Sequence, residues 1–166
     1  VPGSADIKNT RPVGLVDILR NAMLGLQFKL IVETWVEHEI LSKLQYGSLP
    51  MRGTEQARLV QVLTLEYAMM MQMDVAQGTE DKKHAFDSPH KLGGYELALM
   101  RVGIPMRLID ILRRIDRGGL MMVRLHKGLA KAFQRIRGTV QGGEDSPPKW
   151  VAFDDIFITE WERRGD

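Results

Sequence analysis

The stretch ALMRVGIPMRLIDILRRIDRGGLMMVRL, Ala98 to Leu125, decides how this chain is read. It holds six arginines and two aspartates among its apolar residues. Those apolar residues recur at steps of three and four, the spacing of one helix face. Gly103 lacks a Cβ and suits a turn. Pro105 suits the first helical position, where its missing N–H costs nothing. Gly118 and Gly119 end the segment that begins there. Two readings are open: a helix pair that meets DNA, or a packed helical hairpin with a solvated basic face.

Over residues 96–117 the pattern fits a helix-turn-helix. The first helix gives Leu99 and Val102 to the core, Gly103 takes the turn, and Ile104 buries beside it. In the second helix Leu108, Ile109, Ile111 and Leu112 are apolar, leaving Met106, Arg107, Asp110, Arg113, Arg114 and Arg117 for the outer face. A recognition helix needs this division, an apolar underside with long donors above. The small residue often found in the first helix is displaced, with Ala98 one position early and Leu99 in its place. Helix pairs with a glycine turn also occur in proteins that bind no nucleic acid.

Charge distribution favours a polyanion. Residues 1–100 balance to −2, residues 101–137 to +8 and residues 138–166 to −4, within a net charge of +2. A basic block between two acidic segments marks a face for an anionic partner. Neutralisation of the acidic tail, or of an acidic partner protein, is the competing explanation.

Working outward, residues 1–14 read as a leader and 15–138 as a helical domain. A linker follows at 139–149, then an aromatic and acidic tail at 150–166. Within the domain a helix is expected from Leu15 to about Tyr46, where Ile18, Leu19, Met23, Leu26 and Leu30 recur at helical steps. A second, capped by Thr54, is expected to reach about Gln77, with Gly78 as its stop. Ser88 and Pro89 suit an N-cap and first helical residue, and a start nearer Tyr95 is the alternative. Helices follow from about Pro105 to Arg117 and from about Leu120 to Arg137. The tail places Phe153, Phe157 and Trp161 at helical spacing, although IFITEW also fits a short strand. The expected class is all-α, with five to six helices and a helix-turn-helix-like pair near 95–117.

Chemistry is sparse. The chain has no cysteine, which removes disulfides, thiolate metal sites and a thiol nucleophile. His38, His84, His90 and His126 show no metal-ligand spacing. Glu33 and Glu37 share a helix face beside His38 and Glu39, but matching ligand motifs on other helices are lacking. Ser88–Lys91 has S-x-x-K spacing without its companion motifs, and no phosphate-cradling glycine loop is present. The expectation is no enzyme, no cofactor and no metal. No apolar run approaches the ~20 residues of a membrane span, and the N-terminus lacks signal-peptide order. A cytoplasmic location is expected.

Two segments resemble the FlhD-type subunit of the bacterial flagellar master activator. LEYAMMMQMDVAQ, Leu65–Gln77, is similar to that family's early helix. ALMRVGIPMRLIDIL, Ala98–Leu112, with LMMVRLHKGLAKAF, Leu120–Phe133, is similar to its Ala-x-x-Arg-aliphatic-Gly-Ile turn and the helices after it. The resemblance covers about residues 59–137. Leu65 and Tyr67 match the early-helix motif, and Arg101, Gly103 and Ile104 match the turn. The insert around 78–94, the first 58 residues and the tail depart from the family pattern. The resemblance implies an all-α subunit that self-associates and joins a second, zinc-bearing subunit to activate transcription at promoter DNA. This cysteine-free chain does not itself supply that zinc site.

These readings converge on a DNA-binding regulator working as an oligomer, with a partner subunit. Arg101, Arg107, Arg113, Arg114, Arg117, Arg124, Lys127, Lys131, Arg135 and Arg137 are the candidate contacts to double-stranded DNA. Tyr67, Met69, Met70, Met71, Met73, Trp150, Phe153, Phe157 and Trp161 are the candidate association surface. The alternative is a helical interaction or assembly subunit whose basic face docks on an acidic protein.

Overall fold

The computed structural model describes residues 16–78, 82, 85–125, 128–135 and 137–165. The proposed leader therefore lies outside the described residues, as do His84, His126 and Lys127. Helix α1 is Ile18–Glu37, and the Asp17 carboxylate caps it by accepting from Arg20 N at 2.9 Å. The chain from 38 to 53 has no regular helix, so α1 ends well before Tyr46. That segment still buries Leu41 and Leu49. Helix α2 is Thr54–Met70. Gly53, not Thr54, holds its N-cap position, and no side chain caps it.

The third helical region starts at neither Ser88 nor Pro89. His90 is the cap, its ring Nδ1 accepting from Gly93 N at 3.3 Å. A π-helical turn, Lys91–Tyr95, leads directly into α3, Glu96–Arg101. Helix α4 is Met106–Gly118, with Pro105 one position earlier than expected, at the N-cap. Helix α5 is Ser146–Gly165.

The helix expected at 120–137 is absent. Four two-residue strands stand there: β1 Leu120–Met121, β2 Arg124–Leu125, β3 Gly128–Leu129 and β4 Phe133–Gln134. β1 pairs antiparallel with β4, and β2 with β3, so the segment folds back on itself as a β-ribbon. Gly128 sits at φ 136°, a conformation that breaks a helix and suits a hairpin end. The fold is mostly helical, not purely all-α. Gly138 does not close a helix either. Its N–H donates to Pro89 O at 2.9 Å, and a Cβ there would lie 2.5 Å from Phe86 O. Only glycine permits that approach.

One core joins these elements. Leu24, Phe28, Val32 and Trp35 of α1 meet Ala98, Leu99 and Val102 of α3, Ile109 and Leu112 of α4, and Val151 and Ala152 of α5. The recurrence that marked α1 as a helix is its other face. Ile18, Leu19, Met23, Leu26 and Leu30 are exposed. α1 is thus apolar on two sides, one of them exposed.

The stretch read as linker and tail supplies much of this interior. Asp155 of α5 is 0% exposed. Its Oδ1 accepts from Ser42 N at 2.8 Å and its Oδ2 from Arg101 Nη1 at 2.7 Å. Trp150 and Phe153 are half-buried in a chain of rings. Phe86 meets Trp150 at 5.8 Å between centroids, and Phe153 meets Tyr95 at 5.7 Å and Phe157 at 5.4 Å. Among the described residues no helix is long and apolar enough to cross a membrane.

Asp155→Ala is expected to lower unfolding free energy by about 2–4 kcal/mol. It strands the Ser42 N–H and the Arg101 guanidinium, which is a third exposed and so loses less than a fully buried ion. Asp155→Asn retains an acceptor and loses less. Urea unfolding of the three proteins checks the order.

Candidate nucleic-acid interface

The turn between α3 and α4 is a complete glycine cap. Gly103 N donates to Met100 O at 3.1 Å and Ile104 N to Leu99 O at 2.9 Å, the two bonds of a Schellman motif. Gly103 has φ 82°, and a Cβ there would meet nothing within 4 Å. Its requirement is therefore conformational, not spatial. Buried Val102 and Ile104 flank it and fix the exit of the chain.

Helix α4 then divides its side chains. Ile109 and Leu112 are buried, while Arg107, Arg114 and Arg117 are exposed. Steps of seven and three place these three arginines on one face. None forms an ion pair with another described residue. Ile111, expected on the underside, is exposed beside them.

Arg113 falls elsewhere. Its Nε and Nη2 donate to the Glu96 carboxylate at 3.0 and 2.6 Å, and its Nη1 to Asp110 at 2.7 Å. This bidentate pair ties α4 to α3. Arg101 is likewise committed to Asp155 and, through Nη2, to Thr159 Oγ1 at 2.6 Å. Arg135 pairs with Asp87. Three of the ten candidate contacts thus serve the fold. Arg124, Lys131 and Arg137 are exposed on or beside the β-ribbon. The ribbon returns to α4 at its base, where Gln134 Nε2 donates to Arg117 O at 2.6 Å.

The candidate association surface also divides. Tyr67, Met69, Met70, Met71 and Met73 are exposed, as are Phe157 and Trp161. Trp150 and Phe153 belong to the internal ring cluster. Sequence reasoning missed Leu59, Val60, Val62 and Leu63 of α2, which are exposed as well.

Beneath α4 lies a charged interior that the sequence did not announce. Lys149 is 3% exposed. Its Nζ donates to Asp145 Oδ2 at 2.6 Å and to Asp116 Oδ2 at 3.2 Å. Arg20 of α1 reaches the same two carboxylates, each at 3.4 Å. Beside this network opens a cavity of about 270 Å³, bordered by Lys91, Tyr95, Arg113, Asp116, Arg135 and Lys149. Lys149 at i+4 from Asp145 is a legible helical pair. The Arg20 and Asp116 members come from distant segments and left no sequence signal.

Among the described residues no group of three or more His, Asp or Glu side chains could hold a metal ion. Neither protein-family models, nor curated proteins, nor solved structures give a match to this chain.

Burial alone pushes the Asp145 carboxyl up. The Lys149 ammonium and its hydrogen bond outweigh that, Arg20 adds to them, and the group sits below its ordinary value. A carboxyl lowered in the folded state stabilises fully above its unfolded pKa, about 3.9. That contribution is lost as pH falls through the lower folded value. Unfolding midpoints are expected to drop as pH falls below about 4. Asp145→Asn should flatten that part of the profile and lower stability at neutral pH.

Proposed function

We propose that this chain is a DNA-binding transcriptional regulator that works as an oligomer in the cytoplasm. The carrying observation is the row Arg107, Arg114 and Arg117 on the open face of α4, directly after a glycine-capped two-helix turn. A 13-residue helix is about 20 Å long, and a B-DNA major groove about 12 Å wide admits one. Arginine forks suit guanine edges and phosphates. The β-ribbon adds Arg124, Lys131 and Arg137 as phosphate contacts next along the chain. The resemblance to the FlhD-type subunit supports the same class and adds a second regulatory subunit as partner.

Oligomerisation is supported by α2. Of its 17 residues only Ala68 is buried. An isolated helix of about this length is marginal in water, and Leu59, Leu63, Tyr67 and Met70 form an exposed stripe at helical spacing. A second copy of the chain, laid along α2 and the free face of α1, covers that surface.

Titration of duplex DNA by fluorescence polarisation over a salt series tests the first claim. Three to six phosphate contacts give a slope of log K against log salt of about −3 to −5. Arg114→Ala should weaken binding and reduce the slope by about 1 without loss of stability. Arg113→Ala should instead lower stability by freeing Glu96. Absence of binding at low salt removes the DNA reading and favours docking on an acidic protein.

Sedimentation tests the second claim. The chain is expected to sediment as a dimer or larger species at micromolar concentration. Leu59→Glu with Leu63→Glu should shift it to monomer and reduce helicity as α2 loses its cover. A monomeric wild-type chain refutes the α2 assignment.

A further inference from the structure

The cavity beneath α4 is built differently from the outer surface, and of the three open arginines Arg117 alone borders it. Its apolar part is made by Tyr95, Leu99, Ile109 and Leu112, from the π turn, α3 and α4. Its polar part is mainly cationic: Lys91, Arg113, Arg117, Arg135 and Lys149 border it, with the carboxylates of Glu96 and Asp116 among them.

Three of these cations already have carboxylates. Arg113 holds Glu96, Arg135 holds Asp87, and Lys149 holds Asp145 and Asp116. Lys91 makes no ion pair with a described residue, although it is half-buried. Burial lowers its ammonium pKa. Asp116 opposes that, while Lys149, Arg135 and Arg20 reinforce it. Asp116 is already shared between Lys149 and Arg20. A desolvated cation among other cations is unfavourable unless an anion joins it. The apolar wall below asks for a body that gains from leaving water.

We propose that this cavity binds a small organic anion, a carboxylate on an aromatic or branched apolar body, with the carboxylate against Lys91. The volume, about 270 Å³, lies at the small end of ligand sites and admits a metabolite-sized molecule. Arg113 and Lys149 are held by their own partners, so they shape the site without collapsing into it. Arg117 also borders the cavity without an ion pair but is exposed to solvent, so Lys91 is the half-buried cation left to recognise charge.

The test uses the intact chain without DNA, so its outcome is independent of the DNA reading. Naphthoate is the probe and naphthamide its neutral counterpart. Acetate and inorganic phosphate supply the head group alone, at constant ionic strength. Thermal unfolding and calorimetric titration are expected to show saturable binding of naphthoate, about tenfold tighter than naphthamide. Acetate and phosphate should bind more weakly than naphthoate. Lys91→Met and Lys91→Gln should erase the acid–amide difference and unfold at or above the wild-type temperature. No saturable binding of naphthoate overturns the proposal. So do equal affinities for acid and amide, phosphate or acetate binding as tightly as naphthoate, and wild-type affinity in either Lys91 variant.

Discussion

The carboxylate of Asp155 holds the structure to one arrangement. It has no exposed surface, and two other parts of the chain meet α5 at it. The backbone of Ser42 arrives from the segment after α1, Arg101 from the end of α3, and Thr159 from the next turn of α5. An ion buried this fully gains little net stability, because desolvation offsets most of the attraction. What it supplies is registry. An α5 rotated or slid by one residue strands the charge, and α3 cannot then end where it does. The glycine-capped turn after Arg101, and so the entry point of α4, depends on that fixed end.

The same logic sorts the arginines. Guanidinium groups in the segment from Arg101 to Arg137 look interchangeable in sequence. Structure separates them by whether a carboxylate lies within reach. Arg101, Arg113 and Arg135 each bridge to another part of the chain, and their planar forks suit that role. Arg107 and Arg114 project where no described carboxylate answers them. Intramolecular pairing absorbs part of the +8 block, so the usable positive surface is narrower than the charge count suggests. It is also more ordered, because α4 is pinned by Arg113 on one side and by Asp116 on the other.

The helix pair was legible because its signals are local. Gly103 needs a positive φ, Pro105 fixes the next φ, and Gly118 and Gly119 end the run. The β-ribbon was not legible. LMMVRLHKGLAKAF is rich in good helix formers, and only Val123 is β-branched. Gly128 is a local signal against a helix there, and the helical spacing of the apolar residues around it conceals that signal. Intrinsic preference lost to tertiary context, since the base of the ribbon is held by Gln134 on α4 and by Arg135 on Asp87. Asp145 and α5 conceal their burial for another reason. Their acidic and aromatic residues look like surface, yet Asp145 and Asp155 are buried because cations from α1, α3 and α5 meet them. Such pairings span more than fifty residues in two of these cases and cannot be read from spacing. The charge-lined cavity beneath α4 escaped notice for the same reason.

α1 shows how one helix can mislead and inform at once. Its two apolar faces lie on opposite sides, so periodicity identified the helix but not the side that packs. The core side carries Phe28 and Trp35, and the Trp35 indole N–H donates to Val102 O at 3.2 Å. That bond reaches the carbonyl just before the glycine turn and ties the turn to the helix behind it. The opposite side repeats Leu19, Met23, Leu26 and Leu30, all exposed among the described residues. Together with α2 it leaves more apolar surface open than scattered exposure explains. The exposed face of α1 and the arginine row of α4 are each ordered from behind by the core, whereas α2 buries only Ala68 and takes no part in it.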